Sequence, residues 1–278
     1  MKLSNNLLKS KKIIIIKSFS DNERFKREKY FYDIFQNKNL NIPKVLNVSK
    51  KTISFKRYDF KKVYSQKKFF DGLLNFLKKI NKEKNYALFA KENLKSYNSL
   101  HREVRKRFEK LSKLKIEKKY RNKMNKIQLY IKKILQENHK KVKLKKIKNI
   151  ISQSDIGFHN CAVFNNKIFF YDFEYSGLDH PFKLICDTYY QPEKKVDKSH
   201  ILIFIKSLEK RFKFKLPKNF SIFERLLKVK MMLIILNIFV LSNISKKSKS
   251  IEFKKINKLK SERLNKAFKY IKFPFIYE

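Results

Sequence analysis

The stretch Ser154-Asp155-Ile156-Gly157-Phe158-His159-Asn160, together with Tyr171-Asp172-Phe173-Glu174 after the next predicted hairpin, decides how this chain is interpreted. Asp155 and Asn160 are five residues apart, and a short loop of that length can reverse so that their side chains face one cavity. Asp172 ends an apolar run, a place from which its carboxylate can reach the same cavity. Because carboxylate and amide oxygens suit the hard cation Mg²⁺, the pattern predicts a magnesium-dependent site.

The three side chains fit the chemistry of phosphoryl transfer, which depends mainly on positioning and electrostatics. Asp155 is the predicted catalytic residue, whose carboxylate would accept a hydrogen bond from the attacking hydroxyl and align it with the γ-phosphate of ATP. Asn160 and Asp172 are the predicted metal ligands, holding Mg²⁺ against the phosphates. Taken singly, each residue also has an ordinary explanation as a turn or strand-ending residue, so the interpretation depends on their combination and on the surrounding sequence.

A basic and an acidic residue near the N-terminus complete the predicted nucleotide site. Lys17 follows the β-branched run Ile13–Ile16, which is typical of a buried strand, and it is predicted to contact the ATP phosphates. Glu28 lies on the next predicted helix, from which its carboxylate can pair with the Lys17 ammonium. Since 11 residues is a short separation for such a pair, Glu23 stays open as an alternative partner.

These residues resemble the aminoglycoside phosphotransferase and choline kinase superfamily, relatives of the protein kinases, in a bacterial subgroup often associated with surface-carbohydrate genes. The catalytic loop of that family reads His-x-Asp-x-x-x-x-Asn, and Gln153-Ser154-Asp155 with Asn160 has the same spacing. The metal motif of the family, Asp-Phe followed by a Gly-Asp-Pro-like segment, is matched by Asp172-Phe173-Glu174 and Gly177–Pro181. The resemblance is specific over residues 150–192 and looser in the N-terminal part.

The resemblance implies an α+β, protein-kinase-like, two-lobed fold with a small β-containing N-terminal lobe and a large helical C-terminal lobe. Residues 1–58 are the predicted nucleotide-binding lobe, and residues 59–278 are the predicted helical lobe, with the catalytic loop and metal motif at 150–187. It further implies an ATP-dependent phosphotransferase that moves the γ-phosphate to a hydroxyl of a small polar molecule, a carbohydrate or a related metabolite. ATP and Mg²⁺ are then the cofactors, and Lys17 with Glu28 positions the nucleotide phosphates.

The sequence departs from the family pattern at three places. Gln153 stands where the family has a histidine that braces the loop. No glycine-rich loop precedes Lys17, where the chain has Leu3-Ser4-Asn5-Asn6, so ATP would receive fewer contacts from backbone amides. Asp187 lies one turn beyond the usual helix acid of the family and is expected to hydrogen-bond the catalytic loop. These departures keep an alternative open, a catalytically inactive kinase-fold protein with a binding or regulatory role.

The hydrophobic pattern predicts strands and helices in the order expected of such a fold. Strands are predicted at Lys12–Lys17, Val45–Val48 and Thr52–Tyr58, a hairpin at Ala162–Phe164 and Lys167–Tyr171, and helices from Asp21 to about Gln36 and at Lys67–Lys79, Ser99–Leu114, Lys118–Glu137 and Phe223–Ser242. The chain after Pro181 is predicted to be helical, with a break at Pro217.

The chain is strongly basic, with a formal net charge of +46, which usually indicates a nucleic acid or an anionic membrane as partner. Here, however, 60 of the 70 basic residues are Lys and 10 are Arg, whereas nucleic-acid surfaces usually favour Arg. Richness in Lys, Asn, Ile, Phe and Tyr is also what A/T-rich codons produce. We therefore expect no specific nucleic-acid partner, and nucleic-acid binding ranks third, behind the two kinase-fold hypotheses.

Cysteine usage and hydropathy bear on the location of the protein. The two cysteines, Cys161 and Cys186, form neither a disulfide framework nor a metal motif, and the histidines lack the spacing of zinc ligands. The longest apolar run, Met231–Leu241, is shorter than a membrane span, and Ile13–Ile16 is too short for the core of a signal peptide. We expect a cytoplasmic enzyme without a membrane-spanning segment, whose partner is a small-molecule hydroxyl acceptor.

Overall fold

The computed structural model describes residues 14–137, 139, 142–244 and 250–277. Residues Lys12 and Ile13 of the first predicted strand, and the segment Leu3–Asn6, lie outside the described residues. In chain order the elements are β1 (Ile14–Ser18), α1 (Asn22–Phe35), β2 (Val45–Ser49), β3 (Thr52–Lys56), α2 (Gln66–Ile80), α3 (Tyr97–Ser112), α4 (Lys118–Gln136), β4 (Ile150–Ser152), a 3₁₀ turn (Phe158–Asn160), β5 (Cys161–Phe164), β6 (Lys167–Phe170), β7 (Gly177–Asp179), α5 (Pro181–Tyr189), α6 (Lys198–Phe212), α7 (Phe220–Ile235), α8 (Asn237–Ile244) and α9 (Ser250–Ile271).

The chain divides into two compact units. The first contains the described parts of residues 1–93 and 147–214, and the second those of 94–146 and 215–278. Strands β1 to β7 lie in the first unit with helices α1, α2, α5 and α6, whereas the described elements of the second unit are helices. This mixture confirms the predicted α+β class. The predicted boundary between the two lobes, at residue 58, came from the order of strands and helices. The division into compact units does not test it, so it stays a prediction.

A three-stranded antiparallel sheet in the first unit carries Lys17. Its strand order is β1–β3–β2, and Lys17 lies opposite Ile53 in the β1–β3 ladder. Helix α1 begins directly after β1 because Asp21 caps it, with the Asp21 side chain accepting hydrogen bonds from the backbone amides of Glu23 and Arg24. The predicted order of strand, helix, strand and strand is therefore confirmed. The prediction that the first strand is buried is wrong, since Ile14 is 46% and Ile16 62% exposed on β1, which lies at the edge of the sheet.

Two shorter β-ribbons in the same unit carry the predicted motifs. Strands β5 and β6 form the predicted antiparallel hairpin, and its turn residues Asn165 and Asn166 have φ of 46° and 59°. Positive φ at both turn positions is the geometry of a type I′ turn, which asparagine tolerates. Strands β4 and β7 form a second ribbon of three-residue strands, which are too short for the hydrophobic pattern to reveal β7. The catalytic loop lies between β4 and β5, and the metal motif lies between β6 and β7.

In the second unit, one secondary-structure prediction is wrong. The single helix predicted over Phe223–Ser242 is two helices, α7 and α8, separated at Leu236. Asn237 begins α8, and asparagine disfavours helix interiors because its side chain competes for backbone hydrogen bonds. Helices α3 and α4 lie within about two residues of their predicted ends. Within the described part of the chain, no helix is both long enough and apolar enough to cross a membrane.

Candidate active site

Gln153 fastens the predicted catalytic loop to the metal motif. Its side chain is buried, and its amide nitrogen donates hydrogen bonds to the backbone carbonyls of Tyr171 and, at 3.4 Å, of Asn160. The backbone amide of Tyr171 in turn donates to the Asn160 carbonyl at 3.1 Å. Gln153 thus braces the loop from the position where the resembling family has histidine.

Asp155 and Asn160 lie together in the loop. The Asn160 amide nitrogen donates to the backbone carbonyl of Asp155 at 2.9 Å and to its carboxylate Oδ2 at 3.2 Å, so a cation would be ligated by the Asn160 amide oxygen. The Asp155 side chain is 48% exposed, and its Oδ1 lies 3.4 Å from His159 Nε2. Burial of the carboxyl opposes ionisation, but the His159 contact, the Lys183 charge and the Asn160 hydrogen bond together outweigh it and lower the pKa of Asp155. The Asp155 carboxylate is therefore ionised and reachable by a substrate.

Lys17 lies among three carboxylates. Its Nζ lies 2.5 Å from Glu28 Oε2 and 2.6 Å from Asp172 Oδ1. The Glu174 carboxylate is also close, with Oε2 at 3.3 Å. The structure thus places Glu28, not Glu23, beside Lys17, while the Glu23 carboxylate pairs with an arginine of its own helix. One ammonium group joins β1, α1 and the end of β6.

The carboxylates in this cluster outnumber the cations beside them. Glu28, Asp172 and Glu174 can each bring one oxygen within 4.8 Å of the others, and they face Lys17 and Arg24, the latter 3.0 Å from Glu174. Burial raises the pKa of Glu28 to about 7, although the Lys17 ammonium opposes the shift. Burial also disfavours the charge on Lys17, but Glu28 and Asp172 outweigh it and raise the Lys17 pKa. Hard oxygen ligands with excess negative charge suit a divalent cation, so these residues fit Mg²⁺.

A cavity of about 260 Å³ opens beside this cluster. Its lining is mainly apolar or aromatic and consists of Ile15, Lys17, Glu28, Tyr32, Pro43, Phe55, Lys56, Phe60, Tyr171 and Asp172. Apolar walls with a few polar groups at one end are typical of small-molecule sites, and here the flat rings suit a purine base while the charged end suits phosphates. The wall residues are scattered along the chain, so no sequence motif identifies them.

The backbone is strained at both motifs. Ser154, which precedes Asp155, has φ of 65°, and Asp172 has φ of 67°. A non-glycine residue in this left-handed region costs about 1–3 kcal/mol and persists where the surroundings hold it. The Ser154 amide donates to Ser152 Oγ at 3.1 Å, and the Ser154 hydroxyl donates to Asp179 Oδ2 at 3.2 Å. Strain held in this way is characteristic of functional sites.

Three further residues were not predicted as part of the site. Glu174 contacts Lys17, and Asp179 and Lys183 contact Ser154 of the catalytic loop. Asp187 was expected to hydrogen-bond the catalytic loop. Its Oδ2 lies 2.6 Å from Lys183 Nζ, and Lys183 Nζ in turn lies 2.8 Å from Ser154 Oγ in that loop. The available signal was a lysine inside an otherwise apolar helical segment of α5, where lysine is rare unless it is paired.

Comparison with known proteins identifies the fold. No protein-family model and no curated protein matches the chain. Solved structures do match: a candidate aminoglycoside phosphotransferase from Ralstonia eutropha JMP134 (TM-score 0.59, 11% identity, 93% of this chain and 86% of that chain); choline kinase LicA from Streptococcus pneumoniae (0.57, 14%, 93% and 85%); and ADP-bound aminoglycoside phosphotransferase APH(2'')-Ib (0.53, 16%, 93% and 88%). The chain therefore has the protein-kinase-like fold of the aminoglycoside phosphotransferase and choline kinase superfamily, and the resemblance is confirmed at the level of the fold.

Proposed function

We propose that the protein transfers the γ-phosphate of ATP to a hydroxyl group of a small polar molecule. The observation that carries the proposal is the meeting of Lys17, Glu28 and Asp172 beside an apolar cavity. The loop with Asp155 and Asn160 is fastened to the same strand end. One of the matched structures, aminoglycoside phosphotransferase APH(2'')-Ib, is ADP-bound, and the extension of nucleotide binding to this chain is part of the proposal.

Each residue then has a role that follows from its place. The Asp155 carboxylate, ionised and exposed, accepts the hydrogen bond of the acceptor hydroxyl and directs its oxygen at the γ-phosphate. Asn160 and Asp172, with Glu174 nearby, would hold Mg²⁺, which supplies charge neutralisation along the phosphates when it is bound. Glu28 holds Lys17 toward the cavity, where the ammonium would contact the α- and β-phosphates of a bound nucleotide. The apolar walls hold the base.

A carbohydrate or a related metabolite is the acceptor that we propose, on the ground of the sequence resemblance. The second candidate, an inactive kinase-fold binding protein, shares the nucleotide site but lacks turnover. The presence of Asp155, Asn160 and Asp172 favours the enzyme, because a protein without catalysis has no need of all three side chains.

The first experiment measures thermal unfolding with and without ATP and Mg²⁺ in the wild type and in Asp172→Asn. Asparagine tolerates the positive φ at this position, so the substitution removes a charge without adding backbone strain. Ligand at about 100 times its Kd stabilises by about 2.7 kcal/mol, which raises the unfolding temperature of a chain of this size by about 5–10 °C. We expect the Mg²⁺-dependent part of this shift to disappear in Asp172→Asn.

Asp33→Asn is the matched control, because Asp33 pairs with Lys29 on the exposed side of α1 and the same charge is removed there. It should keep the full shift. A shift that is absent in the wild type, or equal in both variants, contradicts the proposed nucleotide site. With binding established, ADP release is measured against sugars and amino alcohols, and Asp155→Asn should lose about 100-fold or more in turnover while keeping the shift. Binding without ADP release for any acceptor would support the inactive alternative.

A further inference from the structure

Lys183 on α5 is a buried charge with an unusual set of contacts. The residue is 3% exposed, and lysine is almost never that buried unless it is paired. Its Nζ lies 3.0 Å from Asp179 Oδ2 and 2.6 Å from Asp187 Oδ2. Burial disfavours the charge on Lys183, but the two aspartates outweigh it and raise the pKa of the ammonium group. The group is therefore a cation inside the first unit.

The same ammonium group contacts the catalytic loop. Lys183 Nζ lies 2.8 Å from Ser154 Oγ and 3.4 Å from the Ser154 carbonyl oxygen. That carbonyl belongs to the peptide group linking Ser154 to Asp155, so holding it fixes the plane from which the Asp155 backbone continues. The Ser154 hydroxyl is also held from the other side, since it donates to Asp179 Oδ2 at 3.2 Å.

The position of these contacts matters because Ser154 has a left-handed backbone, with φ of 65°. A residue in that region relaxes unless its surroundings hold it, and relaxation at Ser154 would turn the next side chain, Asp155. Transfer of a phosphoryl group depends on alignment, and displacement of a group by about 1 Å can cost about 100-fold in rate. The contacts of Lys183 with Ser154 therefore influence the direction in which the Asp155 carboxylate points.

We propose that Lys183, clamped between Asp179 and Asp187, is a positioning residue that keeps Ser154 in its strained conformation and thereby directs the Asp155 carboxylate. The effect on turnover rests on the proposed function, whereas the effect on Asp155 itself does not. Burying a lysine with two acids stabilises a fold little compared with an apolar replacement. Stability alone therefore does not explain the buried Lys183 beside the catalytic loop.

The test compares Lys183→Met with the wild type in the full chain, with water as the phosphate acceptor. Mg²⁺-dependent ATP hydrolysis gives kcat and the KM for ATP. We expect kcat to fall about tenfold or more because the attacking oxygen loses its alignment, while the KM for ATP stays within about twofold. The second readout is the backbone conformation of the loop, reported by the ¹³Cα chemical shifts of Ser154 and Asp155. We expect the Ser154 shift to move away from its left-handed value in Lys183→Met as the residue relaxes.

Two further variants keep the result decisive. Asp179→Asn/Lys183→Met removes the buried pair together, leaves an amide oxygen for the Ser154 hydroxyl, and should fold where the single variant does not. Lys230→Met is the matched control, because Lys230 is equally buried at 3% and pairs with Glu103 within the second unit. It should lower the unfolding temperature without changing the ¹³Cα shifts of Ser154 and Asp155.

The outcomes separate the two proposals. A wild type that binds nucleotide but hydrolyses no ATP removes the evidence from turnover, and the ¹³Cα shifts of Ser154 and Asp155 then decide the role of Lys183 by themselves. Unchanged shifts in both Lys183 variants overturn the positioning role. A fall in kcat no larger than that of Lys230→Met overturns it as well, because general destabilisation would then explain the loss.

Discussion

A stack of two phenylalanines should couple the helix that carries Glu28 to the strand end that carries Asp172. Phe31, on α1, and Phe173 are both 0% exposed, and their rings lie 3.8 Å apart with 10° between the planes. Phe31 is one helical turn after Glu28, and Phe173 directly follows Asp172. The stack therefore fixes the positions of Glu28 and Asp172 relative to each other, where both contact Lys17.

The magnitude of this coupling follows from the burial of both rings. Truncation of a buried Phe to Ala costs about 3–5 kcal/mol, and two such losses would exceed the stability of many domains, about 5–15 kcal/mol. Leucine retains most of the apolar bulk, so Phe31→Leu and Phe173→Leu should each cost about 1–3 kcal/mol. A contacting aromatic pair contributes about 0.5–1.5 kcal/mol beyond its buried area, and this is the coupling energy that we expect.

The assay is a double-mutant cycle by urea denaturation of the wild type, the two single variants and the double variant. The double variant should lose less than the sum of the single losses, by about 0.5–1.5 kcal/mol. Phe204, which packs against Phe70, supplies the control, and Phe204→Leu with Phe31→Leu should be additive within about 0.5 kcal/mol. Additivity of Phe31→Leu with Phe173→Leu within the same limit would refute the coupling.

Two further predictions concern the brace and the acid cluster. Gln153→Ala leaves the Tyr171 carbonyl without its side-chain donor and the Asn160 carbonyl with the Tyr171 amide as its remaining donor. Urea denaturation should therefore show a loss of about 1–3 kcal/mol. Gln153→His should recover part of it, and equal stability of Gln153→Ala and wild type would contradict the brace. Because burial raises the pKa of Glu28 to about 7, its contribution to stability without ligand is present at acid pH and lost as the pH rises through about 7. The positive charge of Mg²⁺ held by Asp172 disfavours the proton on the neighbouring Glu28, so the rise in unfolding temperature with Mg²⁺ should be larger at about pH 8 than at about pH 6. Glu28→Gln should remove that difference, and a difference that persists in Glu28→Gln would assign it to another group.

Local patterns predicted the elements whose signals lie within a few residues. The Asp21 cap and the Asn165-Asn166 turn are examples, because a cap and a type I′ turn are formed by neighbouring residues. The break at Leu236 was missed because the apolar run continues through it, and periodicity alone cannot separate one buried helix from two. Strand β7 was missed because three residues are too few to show alternation.

The candidate site, too, was predicted only in part from local sequence patterns. The spacing of Asp155, Asn160 and Asp172 along the chain indicated one cavity, because a short loop and a hairpin leave few ways to arrange them. The choice between Glu28 and Glu23 as neighbour of Lys17 stayed open, since both lie on α1 and the outcome depends on which side of the helix packs against β1. Lys183 gave a weak signal, because a lysine inside a helix is usually placed at the surface.

The amino-acid sequence by itself determined the chemistry available to this protein: which carboxylates and amides occur, at what spacing, and on which local elements. The tertiary structure decided which of them meet. The pairing of Lys17 with Glu28 and Asp172 spans up to 155 residues of chain, and the contact of Lys183 with Ser154 joins α5 to the catalytic loop. Such contacts depend on the packing of distant elements and on the burial that sets the strength of each charge, and neither quantity is a property of any local stretch of sequence.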